Sequence, residues 1–246
     1  MSFNVDEHSM QSSAVTSATS GPVPGPATRV SALSGRADVT GHDADSPAIL
    51  VEGVILLGVR VTAYATINAA EHRRREAAGI GAVVNPGLLD RLLDLPAAVP
   101  VTDAAAWAEL AGQPPGIAER GEDGASVTRH LESPLTIADV VVDAAAAGEL
   151  HAVQDASLFA GFTRRWVAAA HRRIPENALL EAKVCGVGLL DPQRTVMLLP
   201  AEKPAGLTAD GWSWLLQEKT YRHWLTRRLQ PLTEPGFQGQ ADSALG

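Results

Sequence analysis

The stretch from Trp212 to Arg228 has the composition best suited to binding a charged partner, because aromatic residues are interleaved with basic ones. Guanidinium and ammonium groups neutralise phosphates, and aromatic rings stack on bases. The same mixture suits a helix that packs its rings in a core or interface and leaves its arginines in water, or one that binds an acidic protein. The residues predicted to bind are Trp212, Trp214, Lys219, Arg222, Trp224, Arg227 and Arg228, with Arg164 and Arg165 from an upstream helix.

A second candidate for chemistry is Glu181-Ala-Lys183, which we predict to lie in a strand. Residues two apart in a strand project from the same face, so the carboxylate and the ammonium would stand side by side. This layout is similar to the Glu-x-Lys half of the PD-(D/E)xK nuclease motif, in which carboxylates hold Mg²⁺ and the lysine orients the attacking water. The resemblance covers three residues and implies a metal-dependent nuclease or phosphodiesterase. An ion pair on a half-exposed strand gives the same spacing.

No other motif indicates catalysis or a cofactor. Cys185 in an apolar stretch is typical of a small core residue, with a nucleophile as the alternative. The seven histidines show no zinc spacing, and no Walker loop or Gly-x-Ser-x-Gly is present. The pairs Gly79/Gly81 and Gly186/Gly188 lack the context of a phosphate loop. We therefore predict no metal and no cofactor, and we favour a non-catalytic protein in which Glu181 and Lys183 are the only weak catalytic candidates.

Charge is divided unevenly along the chain, whose net charge is −8. Residues 80–150 hold eleven acidic and three basic residues (−8), whereas residues 151–229 hold seven and eleven (+4). This division suggests either docking between oppositely charged parts, within or between chains, or an anionic partner for the basic part. A single cysteine, Cys185, and the lack of a secretory signal predict a cytoplasmic protein. The preference for arginine over lysine suggests a GC-rich, bacterial genome.

The apolar run 48–68 is long enough to span a membrane, but its pattern favours a different structure. Odd positions are apolar or glycine, whereas even positions include Glu52, Arg60, Thr62 and Asn68. Strict alternation predicts a strand or hairpin with one buried face. A membrane-anchored accessory protein remains the alternative interpretation.

The remaining elements are predicted from apolar periods, caps and breakers. We expect helices over 67–78, 85–95, 102–111, 136–148, 151–173 and 209–229. We also expect a strand over 80–84 and a hairpin whose strands, 179–190 and 195–199, are joined by a turn at 191–194. Trp107 should be buried, and Thr136-x-x-Asp139 is the predicted cap of the fourth helix.

These elements predict an α+β fold in which helices pack on small, mainly antiparallel sheets. The predicted divisions are a disordered tail (1–47), a strand run with helices (48–111), a linker (112–133), a basic helix–hairpin–helix module (134–230) and a second disordered tail (231–246). Our leading hypothesis is a non-catalytic interaction or assembly protein whose basic module docks on an acidic protein surface or on nucleic acid. A protein partner or self-association is therefore expected.

Overall fold

The computed structural model describes residues 46–103, 105, 108, 110–114, 116–204 and 210–229. Among these residues there are nine named strands and five named helices. The strands are β1 (Ala48–Leu56), β2 (Val59–Ile67), β3 (Pro100–Thr102), β4 (Ala118–Arg120), β5 (Ser126–Arg129), β6 (Leu135–Asp143), β7 (Arg164–Ala168), β8 (Gly188–Leu190) and β9 (Met197–Leu199). The helices are α1 (Ala69–Ala78), α2 (Pro86–Leu93), α3 (Glu149–Ser157), α4 (Glu176–Cys185) and α5 (Gly211–Leu229).

The apolar run 48–68 forms an antiparallel hairpin of β1 and β2. Leu57 and Gly58 make the turn, both with positive φ. Val51, Val54, Leu56, Val61 and Ala63 are buried, as the alternation requires. The prediction of a strand or hairpin is confirmed. In the part of the chain that the structure describes, no helix is long and apolar enough to cross a membrane.

Six strands form the main sheet in the order β1-β2-β6-β7-β8-β9. The pairs β1–β2, β2–β6 and β8–β9 are antiparallel, whereas β6–β7 and β7–β8 are parallel. Parallel neighbours need a long crossover, and α3 and α4 supply the two crossovers. The predicted α+β class is confirmed, but the sheet is larger than expected and mixed rather than mainly antiparallel.

Three helices cover one face of this sheet. Side chains of β1, β2, β6, β7 and β8 share one core with residues of α3, α4 and α5, among them Val153, Ala182, Leu216 and Tyr221. The centre of the opposite face is a smaller cluster of Val141, Trp166, Ala168 and Leu190. The pairing of β2 with β6 joins the 48–68 hairpin to the C-terminal half of the chain in one sheet.

A second core lies at the start of α5. The three-stranded sheet β3-β5-β4 and α2 contribute its side chains. Trp214 and Leu215 of α5 pack into it, while Leu216 and Tyr221 pack into the main core. The segment 112–133, predicted to be a linker, contains β4 and β5. Helix α5 is therefore the element held by both cores.

A buried ion cluster fixes α5 against α1. Arg75 is fully buried, donates from Nε to Oε1 of Glu71 at 2.7 Å, and binds both carboxylate oxygens of Glu218 at 2.7 and 2.9 Å. Burial would raise the pKa of Glu71, but hydrogen bonds from Arg74 and Arg75 outweigh it and hold that pKa below its ordinary value. Burial would lower the pKa of Arg75, but Glu218 and Glu71 outweigh it and raise that pKa.

Several helix ends agree with the sequence. Asn68 caps α1, and Gly79, with φ of 64°, ends it. Asn85 caps α2, with Pro86 in its first turn. The structure places α5 within the predicted 209–229. The predicted strand over 80–84 was wrong, since no strand forms there. Within the helix predicted over 102–111, the described residues 105, 108 and 110 are helical, whereas Trp107 lies outside the described residues. The predicted tail 231–246 and all but the end of the predicted tail 1–47 also lie outside them.

The C-terminal half differs most from expectation, and it is not a helix–hairpin–helix module. The predicted helix over 136–148 is β6, because β-branched residues dominate a strand that pairs on both sides. Thr136 and Asp139 have the spacing of a capping pair, but both lie within this strand. The predicted helix over 151–173 was right for α3 but wrong beyond Ser157, since Arg164–Ala168 is the parallel strand β7.

The predicted hairpin was right only at its tip. Residues 179–185 are helical rather than a strand, because Ala, Leu, Glu and Lys favour helix and Gly186, with φ of 66°, ends it as a C′ glycine. Strands β8 and β9 form the hairpin that remains. Its turn is held by Asp191, whose carboxylate accepts from the backbone N–H groups of Thr195 and Val196 at 2.6 and 2.7 Å.

Candidate anion-binding site

An irregularity in β1 shapes the candidate site. The register between β1 and β2 shifts between Val51 and Val54, and Gly53 within this shift has a φ of 70°. That backbone conformation favours glycine, as is usual at a bulge. The backbone carbonyl oxygen of Glu52 accepts a hydrogen bond from Nε2 of His223 at 3.1 Å, so the bulge is tied to α5.

Cationic side chains surround this bulge. Together with Gly53, Val54 and Ile55 they line a hollow of about 410 Å³, which we call the basic cleft. The cations are Arg60 of β2 and Lys219, Arg222 and Arg227 of α5, and the imidazole of His223 stands among them. No carboxylate, thiol or hydroxyl group is among these lining residues. The cleft therefore offers positive charge and N–H donors, but it offers neither a hydroxyl or thiol nucleophile nor a metal-binding carboxylate.

Two guanidinium groups converge over Gly53. The point where a Cβ would sit on this glycine lies 3.5 Å from Nη1 of Arg60 and 3.5 Å from Nη2 of Arg227. The absence of a side chain at Gly53 thus leaves space between two cations. Among the described residues, no carboxylate forms an ion pair with either arginine. An oxyanion in that space would satisfy both groups at once.

The amphipathic character of α5 explains why the cations gather there. Trp214, Tyr221 and Leu225 share the side of α5 that packs on the two cores. Lys219, Arg222, His223 and Arg227 stand at i, i+3, i+4 and i+8 and share the other side. Arginine and lysine keep their charged ends in water when their helix is packed in this way.

The predicted aromatic binding residues lie largely away from the cleft. Trp214 is buried and donates from Nε1 to Glu218 at 3.2 Å. Trp224 packs on the main core and contacts His72, and the guanidinium of Arg228 lies 4.6 Å from the centre of its indole ring. Trp212 is 56% exposed, but it stands in the first turn of α5. The structure brings together Lys219, Arg222 and Arg227 of the predicted set.

The two upstream arginines are in strand β7 rather than on a basic helix. Arg164 pairs with the carboxylate of Asp139 at 2.8 Å, and Trp166 donates from Nε1 to the same carboxylate at 2.8 Å. Arg165 is buried, and its Nη2 donates to the carbonyl oxygen of Gly186 at 3.4 Å. Both arginines therefore contact groups within the fold.

Glu181 and Lys183 lie in α4, so the prediction that they occupy a strand was wrong. Residues two apart in a helix point about 200° apart, and the side-by-side layout that the nuclease hypothesis needs is not present. Glu181 instead accepts a weak hydrogen bond from the Cys185 thiol at 3.7 Å. Within the described residues, no group of three or more His, Cys, Asp or Glu side chains is arranged to hold a metal ion.

A second cavity, of about 390 Å³, lies near the start of α5 and has mixed charge. Its only cation among the lining residues, Arg129, donates from Nη1 to the carbonyl oxygen of Leu92 at 2.7 Å and lies over the indole of Trp214. Glu132 and Asp210 line the same cavity. Its cation is thus bound within the fold, in contrast to those of the basic cleft.

The residues predicted to bind do not include His223, Arg60 or Gly53 of the site. Arg60 was noted only as a polar position of the hairpin, and Gly53 only as an apolar position. A usable signal existed, since a glycine in an otherwise regular β-branched strand suggests a bulge or a close approach. Nothing in the sequence alone shows that this bulge lies beside the C-terminal half of α5.

Comparisons of the chain with protein-family models, with curated proteins and with solved structures give no match.

Proposed function

We propose that this protein is a non-catalytic interaction protein that binds an anionic partner in the basic cleft. The observation that carries the proposal is the convergence of Arg60 and Arg227 over Gly53 with no carboxylate lining the cleft. Cations held close together repel one another, so gathering them without counter-ions is unfavourable for the free protein. A partner that brings negative charge removes this repulsion, which is why such clefts are typical of anion-binding sites.

The composition of the cleft supports binding rather than catalysis. Its side chains can neutralise and orient an oxyanion through charge-assisted hydrogen bonds. The one imidazole among the lining side chains, that of His223, is bonded through Nε2 to the carbonyl oxygen of Glu52. The partner classes that fit are an acidic protein surface and nucleic acid. A second copy of this chain is one such protein, because residues 80–150 carry a net charge of −8.

Charge reversal tests the proposal directly. We expect the double variant Arg222→Glu/Arg227→Glu to lose binding to polyanions, measured by fluorescence anisotropy with labelled polyglutamate and labelled DNA. The matched control is Arg172→Glu/Arg173→Glu, which makes the same change in net charge at two exposed residues that do not line the cleft.

Equal loss in both double variants would mean that only net charge matters, and the cleft would not be the site. Absence of binding by the unaltered protein to both polyanions at low salt would reject the proposal. Light scattering of the same variants measures whether charge reversal in the cleft changes self-association.

A further inference from the structure

Building on the proposed function, we infer that the partner is the sugar–phosphate backbone of a nucleic-acid duplex, bound without contacts to the bases. The first argument is the shape of the charge. From Lys219 to Arg227 the cations run along one side of α5 for eight residues, about 12 Å at 1.5 Å per residue. A row of cations matches a linear polyanion better than it matches a single anionic group.

The second argument is the chemistry of the donors. Three of the four cations in the cleft are arginines, whose planar guanidinium binds phosphate oxygens in pairs. Arg60 lies across the bulge from the α5 row, so a phosphate over Gly53 would accept from two elements at once. The absence of a side chain at the half-buried Gly53 also lets a backbone phosphate approach closely, as glycines do in other phosphate sites.

The third argument concerns the bases. No Phe, Tyr or Trp side chain lines the cleft, and the one lining ring, the imidazole of His223, is bonded to the backbone of Glu52. Of the nearby rings, Tyr221 is buried and Trp224 is partly covered by His72 and Arg228. Proteins that select single strands do so largely by stacking bases on aromatic rings. The cleft therefore recognises negative charge and not the bases. We expect its affinity for nucleic acid to be independent of base sequence and to be no higher for a single strand than for a duplex.

The expected affinity for a nucleic-acid duplex depends on the overall charge of the chain. Its net charge of −8 opposes binding at low ionic strength, but at physiological salt the Debye length of about 8 Å screens charges beyond the cleft. We expect dissociation constants of about 10⁻⁴–10⁻⁶ M, the usual range for sequence-independent binding. Contacts to three or four phosphates predict a slope of log K against log salt concentration between about −2.7 and −3.6.

The experiment is a salt titration of the full-length protein with three labelled probes, a 20-base-pair duplex, a 20-nucleotide single strand and polyglutamate. Arg222→Gln should reduce the magnitude of the duplex slope by about one, and Arg172→Gln should leave it unchanged. Gly53→Ala should weaken duplex binding, because the added methyl group occupies the space between Arg60 and Arg227. Circular dichroism confirms that each variant is folded.

Each result has a defined consequence. Duplex binding with the predicted slope, indifferent to sequence and lowered by Arg222→Gln, supports the inference. Binding of polyglutamate without binding of duplex overturns it but leaves the proposed function standing. Tighter binding of the single strand, or a slope that Arg222→Gln and Arg172→Gln change equally, also overturns it. Failure of all three probes rejects the proposed function as well.

Discussion

Replacing Arg75 with methionine should destabilise the protein severely. Arg75 has no exposed side-chain surface, and Glu218 is equally buried. Methionine retains much of the apolar volume of arginine but leaves two buried carboxylates without their shared cation. Breaking a buried ion pair from one side costs about 3–5 kcal/mol. We expect a loss of this size in the free energy of unfolding at neutral pH.

The chain provides a matched control in the preceding residue. Arg74 pairs with the same carboxylate, that of Glu71, at 2.7 Å, but its side chain is 32% exposed. Because Arg74 is partly solvated and Glu71 keeps its hydrogen bond from the buried Arg75, Arg74→Met should cost less than Arg75→Met. The two variants remove the same charge and differ in burial.

Equilibrium unfolding in urea, followed by far-ultraviolet circular dichroism and tryptophan fluorescence, measures both losses. The double variant Arg75→Met/Glu218→Gln removes the cation together with one carboxylate, so its loss should be smaller than the sum of the two single losses. If Arg75→Met cost no more than Arg74→Met, burial would not govern the strength of this cluster and the reasoning would be refuted.

Three further predictions concern the same fold. The pKa of Glu71 is lower in the folded chain than its ordinary value of 4.5. The contribution of this carboxylate to the free energy of unfolding is therefore complete above pH 4.5 and is lost as the pH falls through the folded-state pKa. We expect the free energy of unfolding of Glu71→Gln to fall less steeply with decreasing pH than that of the unaltered protein. Asp139→Ala leaves the buried indole N–H of Trp166 without its acceptor, and should cost about 1–3 kcal/mol in urea unfolding. Gly188→Ala places a Cβ 2.3 Å from Cε3 of Trp166, and should lower the free energy of unfolding by about 1–3 kcal/mol through overpacking; an unchanged melting temperature would contradict this.

The parts of the fold that the sequence predicts are those in which local signals agree with the final structure. Alternation over 48–68 identifies the hairpin because one face of each strand is buried. Asparagine caps, a proline and a C′ glycine mark α1 and α2. The apolar side of α5 and its basic side are both visible in its sequence.

The errors arise where tertiary pairing decides the structure. Strand β6 is buried on both faces, so it lacks alternation, and a Thr-x-x-Asp spacing suggested a helix. Phe162, which precedes β7, and Trp166 within it fall four residues apart, as residues on one side of a helix do, although Trp166 lies in a strand. Part of the basic cleft could be predicted from the sequence, since the basic composition of α5 identifies Lys219, Arg222 and Arg227 as candidates. The contribution of Arg60 could not be predicted, because it depends on the packing of β1 and β2 against α5.

The pairing of β2 with β6 has a consequence for how the chain is made. Ile67 and Leu135 are register partners, yet residues 68–134 lie between them. Synthesis at about 5–20 residues per second takes roughly 3–14 seconds to cover this interval. During that time one edge of β2 has no neighbour, and unpaired edges promote association between chains. The yield of folded protein in cells should therefore depend on translation speed and chaperone supply more than on the final stability of the sheet.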